Sequence, residues 1–390
     1  IESRHFLEAI RQYAFDAGKE NCCFIHVCLV PYITGSNEYK TKPTQHSVAE
    51  LQGIGITPDI IVLRSDGPVG EEIKRKIAGF CNVDADCVIS DITLSCLYET
   101  PVFLHEEGLD GAVARKLKLK GKADLDEWKK FLKSVKAASE TAEIALVGKY
   151  VELHDAYLSV AEALKAGGYA CGVNVKIRWI DSETVTRESA ERVLGGAGGI
   201  IIPGGFGCRA TEGMTEACRY ARENGVPCFG ICLGMQMMAI EFARNVCGLQ
   251  NATSGEFDKM SDCKIIDLMD GQKNVGNMGG TMRLGAYPCT LEKGTAARAI
   301  YGEEHISERH RHRYEFNNRY RGIFEQNGMV LSGKSPDGRL VEIIELKNAG
   351  FYIGCQFHPE FKSRPDAPHP LFAEFVKKAS KTPKSGNCGN

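Results

Sequence analysis

The stretch that most constrains this chain is residues 226–234, Val-Pro-Cys-Phe-Gly-Ile-Cys-Leu-Gly. An apolar run at 228–232 stops at Gly230-Ile231-Cys232-Leu233-Gly234, and a helical pattern follows at 235–246. A small-x-nucleophile-x-small sequence between strand and helix predicts a sharp elbow that exposes the central side chain at the strand's carboxyl end. Glycine is needed on both sides because Cβ atoms would collide in so tight a turn, and the cysteine backbone is strained. The helix that follows aims its first N–H groups and the positive end of its dipole at the sulfur, which favours thiolate. A free cysteine is more often a buried structural one, so Cys232 alone does not identify a nucleophile.

Two further stretches change the balance. Tyr352-Ile353-Gly354-Cys355-Gln356-Phe357-His358-Pro359-Glu360-Phe361 is an apolar strand running into His-Pro-Glu. His358 suits a base towards a thiolate, and Glu360 suits the residue that orients its imidazole. Each has a bland reading, a core histidine and a surface carboxylate, but the order Cys, His, Glu behind an elbow makes both bland readings hard to sustain together. Ile201-Ile202-Pro203-Gly204-Gly205-Phe206-Gly207 is a strand end opening into a glycine loop. Its N–H groups, with Gly205 foremost, are candidates for half an oxyanion hole, and the N–H of Leu233 for the other half.

The 390 residues suffice for two domains. A hydrophobic fraction of 43% and a charged fraction of 25% are those of a soluble globular protein. The net charge of −2 gives no basis for a nucleic-acid surface or an acidic membrane partner. Sixteen cysteines are scattered, with no Cys-x-x-Cys pair, which argues against structural zinc and for a reducing cytoplasm. No apolar run reaches membrane-span length and no signal peptide is visible.

Along the chain, helical periodicity at 1–17 leads to an apolar run at 22–30 with the look of a buried parallel strand. The segment 32–46 reads as a loop at its carboxyl end, with Lys40, Lys42 and Gln45 and with Pro43 stiffening it. Strands at 59–64 and 87–90 flank a helix at 70–80 that carries Lys76. A lysine-rich, polar segment at 116–141 reads as an interdomain connector. From 142 onward strands and helices alternate in a doubly wound pattern up to the elbow. Beyond it the alternation weakens, a hairpin is expected around Pro336-Asp337-Gly338, a closing helix at 369–380, and a polar tail at 382–390. Glu308-Arg309-His310-Arg311-His312-Arg313-Tyr314-Glu315 has the residue types of a metal or RNA patch, but its arginines would repel a dication.

The Pro-Gly-Gly-Phe-Gly, Gly-Ile-Cys-Leu-Gly-Met-Gln and Gln-Phe-His-Pro-Glu stretches resemble those of class I glutamine amidotransferases. Lys40-Thr41-Lys42-Pro43-Thr44-Gln45-His46-Ser47, Gly279-Gly280-Thr281-Met282-Arg283-Leu284-Gly285 and the 308–315 stretch narrow the resemblance to the CTP synthase family, over nearly the whole chain. The resemblance implies an α/β fold with two domains. Residues 1–115 would be the carboxyl-terminal part of a P-loop-type amidoligase (synthetase) domain, and 116–141 a linker. Residues 142–381 would be a flavodoxin-like, doubly wound glutaminase domain.

It further implies Cys232, His358 and Glu360 as a catalytic triad and Gly205, Gln236, Glu256 and Arg313 as contacts of the substrate glutamine. Glu2, Lys40, Lys42, Gln45 and Lys76 would be contacts of UTP. The implied reaction is ATP-dependent amination of UTP to CTP with ammonia from glutamine, with GTP as activator, magnesium serving ATP, and a homo-tetramer able to stack into filaments. The chain opens at Ile1 inside a helical pattern, without the family's glycine-rich ATP loop and metal-binding acids. The expectation is therefore an amino-terminally truncated chain, with no metal ligands of its own, that retains only glutamine hydrolysis. A stand-alone cysteine hydrolase of the γ-glutamyl peptidase type and a non-catalytic assembly protein are the rival readings.

Overall fold

The computed structural model of the chain describes residues 3–268 and 282–382. Glu2, residues 279–281 of the glycine-rich stretch and residues 383–390 of the tail lie outside the described residues. The chain divides into two compact units, Ile1–Lys133 and Ser134–Asn390.

The first unit is built on a three-stranded parallel sheet. Its helices and strands are α1 (Arg4–Ala17), β1 (Ile25–Leu29), the small hairpin β2 (Tyr32–Ile33) and β3 (Glu38–Tyr39), and α2 (Lys42–Gly53). Then come β4 (Ile60–Ser65), α3 (Glu71–Cys81), β5 (Val88–Ile92), α4 (Thr100–Glu106) and α5 (Leu109–Lys116). The sheet order is β1-β4-β5, with β4 central and almost wholly buried, as its run Ile60-Ile61-Val62-Leu63 requires. β1 differs from the sequence expectation. Its Val27 and Leu29 are 61% and 65% exposed, because only one face of this strand is packed while the run is apolar on both. The segment 32–46 is also not a plain loop. Pro43 lies in the first turn of α2, where its fixed φ starts a helix rather than stiffening a coil, so Lys42 and Gln45 are helical residues.

α6 (Asp126–Ala137) lies within the expected connector. The second unit follows as β6 (Glu140–Gly148), α7 (Leu158–Cys171), β7 (Val173–Asp181), α8 (Ala190–Leu194), β8 (Gly199–Ile202), α9 (Thr211–Asn224), β9 (Cys228–Ile231) and α10 (Leu233–Asn245). Next are β10 (Thr253–Ser254), β11 (Lys264–Leu268), β12 (Arg283–Leu291), α11 (Ala296–Tyr301), β13 (His305–His312), β14 (Tyr314–Phe316) and α12 (Arg321–Gln326). β15 (Met329–Lys334), β16 (Val341–Leu346), β17 (Tyr352–Cys355) and α13 (Pro370–Lys381) complete it.

Nine strands form one sheet in the order β13-β12-β15-β16-β17-β9-β8-β6-β7. The strands from β17 to β7 run parallel, and those from β13 to β17 pair antiparallel. The antiparallel wing is where the sequence pattern weakened. Along β13 the inward positions are Ile306, Glu308, His310 and His312, so the strand alternates in burial but hardly in polarity. Apolar cores cover both faces of the parallel part; Phe229, Phe372 and Phe375 anchor one and Met235, Met238 and Phe242 the other. Among the described residues no helix is long and apolar enough to cross a membrane.

Candidate active site

Strand register assembles the site. β8, β9 and β17 are adjacent and parallel, with Ile202 opposite Gly230 and Cys355 opposite Ile231. The glycine loop, Cys232 and the segment leading to His358 therefore leave neighbouring strands at one level, at the carboxyl ends where open α/β sheets form crevices. Cys232 sits between β9 and α10 at φ 52°, ψ −100°, a left-handed conformation that a side-chain-bearing residue adopts at a cost. Its N–H donates to the Cys355 carbonyl at 2.7 Å.

The flanking glycines are obligatory on contact grounds. A Cβ on Gly230 would lie 2.7 Å from the Gly234 carbonyl carbon, and one on Gly234 would lie 2.1 Å from the Ile202 oxygen. Gly234→Ala should therefore destabilise the second unit by about 3 kcal/mol, the upper range for overpacking. A urea-denaturation midpoint checks this; an unchanged midpoint would mean the elbow is looser than drawn.

His358 and Glu360 are both 8% exposed. His358 Nδ1 pairs with Glu360 Oε1 at 2.7 Å, and the His358 N–H donates to the Arg309 carbonyl at 2.7 Å. Burial opposes a charged ring, but the Cys232 sulfur and the Glu360 carboxylate outweigh it and push the imidazole up to about 10. At neutral pH the ring is thus the charged form, which has a proton to give. A Cβ on Gly204 would stand 2.8 Å from the ring's Cε1 and 3.7 Å from the Cys232 Cβ, so the glycine loop closes directly over both side chains.

Cys232, His358 and Glu360 line one cavity of about 240 Å³ together with Gly204, Gly205 and Arg311. Gly205 lies against Leu233; a Cβ on it would be 3.2 Å from the Leu233 Cδ2. The Leu233 N–H is the first of α10 and has no intrahelical acceptor. The loop is held from behind by Lys149, which is 4% exposed and donates to the carbonyls of Phe206 at 3.0 Å and Gly207 at 2.8 Å. Burial pulls the Lys149 ammonium down from its ordinary value, with Glu256 opposing. Glu256 accepts the Gly207 N–H at 2.8 Å, so it lies on the glycine loop. Sequence reasoning left out Lys149 as a loop tether; the signal was a lysine following the apolar β6 run.

Gln236 is buried on α10, its amide nitrogen 3.3 Å from both the Tyr314 carbonyl and the Gln356 Oε1. Arg313 is half-buried between β13 and β14. The 308–315 stretch divides by strand period: Arg309 and Arg311 face out, and Arg311 lies 5.8 Å over the Phe206 ring. His310 and His312 face in, 2.7 Å apart, where burial depresses them to about 2 and about 3. Beside them Arg283 contacts Glu342 at 2.8 Å and Glu315 at 3.2 Å, while burial and the Glu342 charge push Glu315 up to about 8. A guanidinium occupies the place between the carboxylates that a dication would need.

In the first unit Lys40 pairs with Glu38, and Lys76 acts on the same carboxylate. The Lys40 contact first, with Ser36 and Lys76, holds Glu38 below the usual carboxylate range. Gln45 donates to the Thr41 hydroxyl at 3.3 Å, one turn away. The structure thus pairs Lys40 with Glu38, leaves Lys76 near enough to act on that carboxylate through its charge, and places Lys42 and Gln45 on the first turn of α2. Among the described residues, a metal-ligand grouping occurs at Asp84, Asp86 and Cys87. It suits magnesium poorly, since it offers a thiol and Arg115 already contacts Asp86 at 2.7 Å.

A family model described as glutamine amidotransferase class-I matches residues 152–378, and one described as CTP synthase N-terminus matches residues 1–119. A CTP synthase of Geobacillus kaustophilus is 55% identical over 382 residues, 98% of this chain and 72% of that protein. One of Clostridium acetobutylicum is 54% identical over 380 residues, 97% of this chain and 71% of that protein. Among solved structures, the glutaminase domain of Trypanosoma brucei CTPS with bound acivicin is 37% identical. It superposes with a TM-score of 0.59 and covers 62% of this chain and 95% of that one.

Proposed function

The chain belongs to the CTP synthase family, and from that premise we propose that its second unit releases ammonia from glutamine through Cys232, His358 and Glu360. The enzyme is a glutamine-hydrolysing ligase of pyrimidine nucleotide biosynthesis, which aminates UTP to CTP with ATP. The observation that carries the site assignment is the convergence of three adjacent strand ends on one cavity.

The Cys232 thiolate attacks the carboxamide carbon. Backbone N–H groups of Gly205 and Leu233 receive the oxyanion, and their fixed direction is what lowers the barrier. His358 gives its proton to the departing nitrogen as the C–N bond breaks, leaving a γ-glutamyl thioester and ammonia. The now neutral imidazole takes a proton from water, the hydroxide adds to the thioester, and the C–S bond breaks to release glutamate and the thiolate. Glu360 holds the ring through Nδ1 in both halves.

Gln236, Glu256 and Arg313 are proposed to hold the glutamine backbone, a carboxylate suiting its ammonium and a cation its carboxylate. ATP use, and magnesium with it, belongs to the family as a whole; the described residues support no step through the metal. Family membership also supports GTP as activator, a homo-tetramer that stacks into filaments, and a cytoplasmic place. Glutamine-site geometry and family membership together disfavour the peptidase and assembly readings.

Lys40, Lys42, Gln45 and Lys76, with Glu2, are proposed to bind UTP. Glu38 pairs with Lys40, and on binding Lys40 would exchange that carboxylate for a phosphate oxygen. Lys40→Ala and Lys42→Ala should each weaken UTP binding by about tenfold or more, the worth of one charge-assisted contact. Titration calorimetry with UTP reads this, while glutamate release from glutamine should stay at the wild-type rate. Unchanged UTP affinity in both variants would remove these lysines from the site, and no glutamate from the unaltered chain would remove the glutaminase reading.

A further inference from the structure

Gln356 is the first residue beyond β17 and is fully buried. The pairing of Gly354 with Gly230 and Cys355 with Ile231 brings it level with Cys232. Its amide Nε2 stands 3.6 Å from the Cys232 sulfur, within donor distance for so large an acceptor. Its Oε1 accepts from Gln236 Nε2 at 3.3 Å, and the same Gln236 nitrogen donates to the Tyr314 carbonyl at 3.3 Å.

The two ends of an amide look alike by shape, so their assignment depends on partners. Here a backbone carbonyl settles it. The Tyr314 oxygen only accepts, so Gln236 must turn its NH2 towards it. Gln356 must then meet that NH2 with its oxygen, which leaves its own NH2 for the sulfur. Turning Gln356 over would set donor against donor at Gln236 and an oxygen lone pair against the sulfur, both at buried groups. A residue that merely filled space would need no such ordered chain.

We propose that Gln356 is a catalytic residue of glutamine hydrolysis: its amide N–H donates to the Cys232 sulfur as thiolate, both before attack and when the thioester breaks, and Gln236 is its positioning residue. The donor stabilises the anion without itself gaining or losing a proton. The proposal rests on the reading of Cys232 as nucleophile. It also gives Gln236 a task besides contact with glutamine, since its amide nitrogen is already engaged by Tyr314 and Gln356.

Other groups surround the same sulfur: His358 and Cys355 interact with it, and Glu360, Arg311 and Tyr157 line the same cavity. All are retained when only Gln356 is changed, so the difference between proteins isolates the amide.

The test compares the chain with Gln356→Leu, which has no donor, and Gln356→Glu, which keeps the shape but brings an acceptor. Iodoacetamide labelling of Cys232 is followed by peptide mapping from pH 5 to 10, beside steady-state glutaminase kinetics. In both variants labelling at pH 7 should slow by about tenfold, with the profile displaced upward by about one pH unit. The value of kcat should fall at least as far. Where the leucine variant does not fold, the isosteric glutamate variant decides. Labelling of Cys232 with one unchanged pH profile in the original and variant chains overturns the proposal and leaves the nucleophile standing. Labelling mainly of another cysteine in the original chain overturns both.

Discussion

Cys232→Ala should lower glutamate release from glutamine by at least about four orders of magnitude, the scale on which removing a nucleophile acts when its supporting groups remain. Among the described residues lining the cavity, Cys232 is the one thiol. The oxyanion donors, Gly205 and Leu233, are backbone groups, and His358 is charged at neutral pH and so a poor nucleophile. The fold should survive, because alanine is smaller than cysteine and still tolerates the elbow at the strain cysteine already bears. Circular dichroism and a denaturation midpoint within about 1 kcal/mol of the original would show this. Residual hydrolysis within tenfold of the original would move the chemistry to another residue.

The second large effect concerns the His358–Glu360 pair. Glu360→Gln replaces the carboxylate at 2.7 Å from Nδ1 by an amide, which can present the wrong partner and stabilises no positive charge. Glutamine hydrolysis should fall by about a hundred- to ten-thousand-fold. Stability carries a second signature. His358 is raised from the ordinary 6.5 to about 10 in the folded chain, so its contribution is fully present below about pH 6.5 and is lost as pH climbs through about 10. Urea denaturation between pH 6 and 10 should therefore show falling stability, a few kcal/mol at most. Glu360→Gln should flatten that fall, since one of the two groups raising the ring is gone. An equally steep fall in both proteins would assign the pH dependence elsewhere.

The parallel half of the second unit was legible because each of its segments announces itself by composition. β8 and β9 are short apolar runs that break off into glycine-bearing turns, and such runs are buried on both faces. The nucleophile was legible for the same reason: Gly230 and Gly234 are demanded by contacts under 3 Å, and a demand of that kind leaves a mark in the sequence. The antiparallel wing was not, because β13 buries Glu308, His310 and His312 where an amphipathic strand would bury valines. Those side chains are tolerated by mutual pairing with Glu315, Glu342, Arg283 and His369, residues far apart in sequence.

Start and stop signals were misjudged where one residue serves two local structures. Pro43 fits both a stiff loop and a helix start, and only the packing of Thr44 and Val48 decides for α2. The roles of Lys149 and Gln356 were not legible for a different reason. Each acts through a hydrogen bond to another strand's carboxyl-terminal loop, and strand order is set by register across the sheet rather than by neighbours in sequence.

The most direct test of the account is to trap the acyl-enzyme. The chain is mixed with glutamine, quenched in acid during turnover, digested and mapped by mass. The account predicts a γ-glutamyl adduct on the peptide bearing Cys232, absent from Cys232→Ala and more abundant in Glu360→Gln if hydrolysis of the thioester is slowed more than its formation. Of the sixteen cysteines, an adduct carried mainly by any other, or glutamate formed at the original rate by Cys232→Ala with no adduct anywhere, would contradict it.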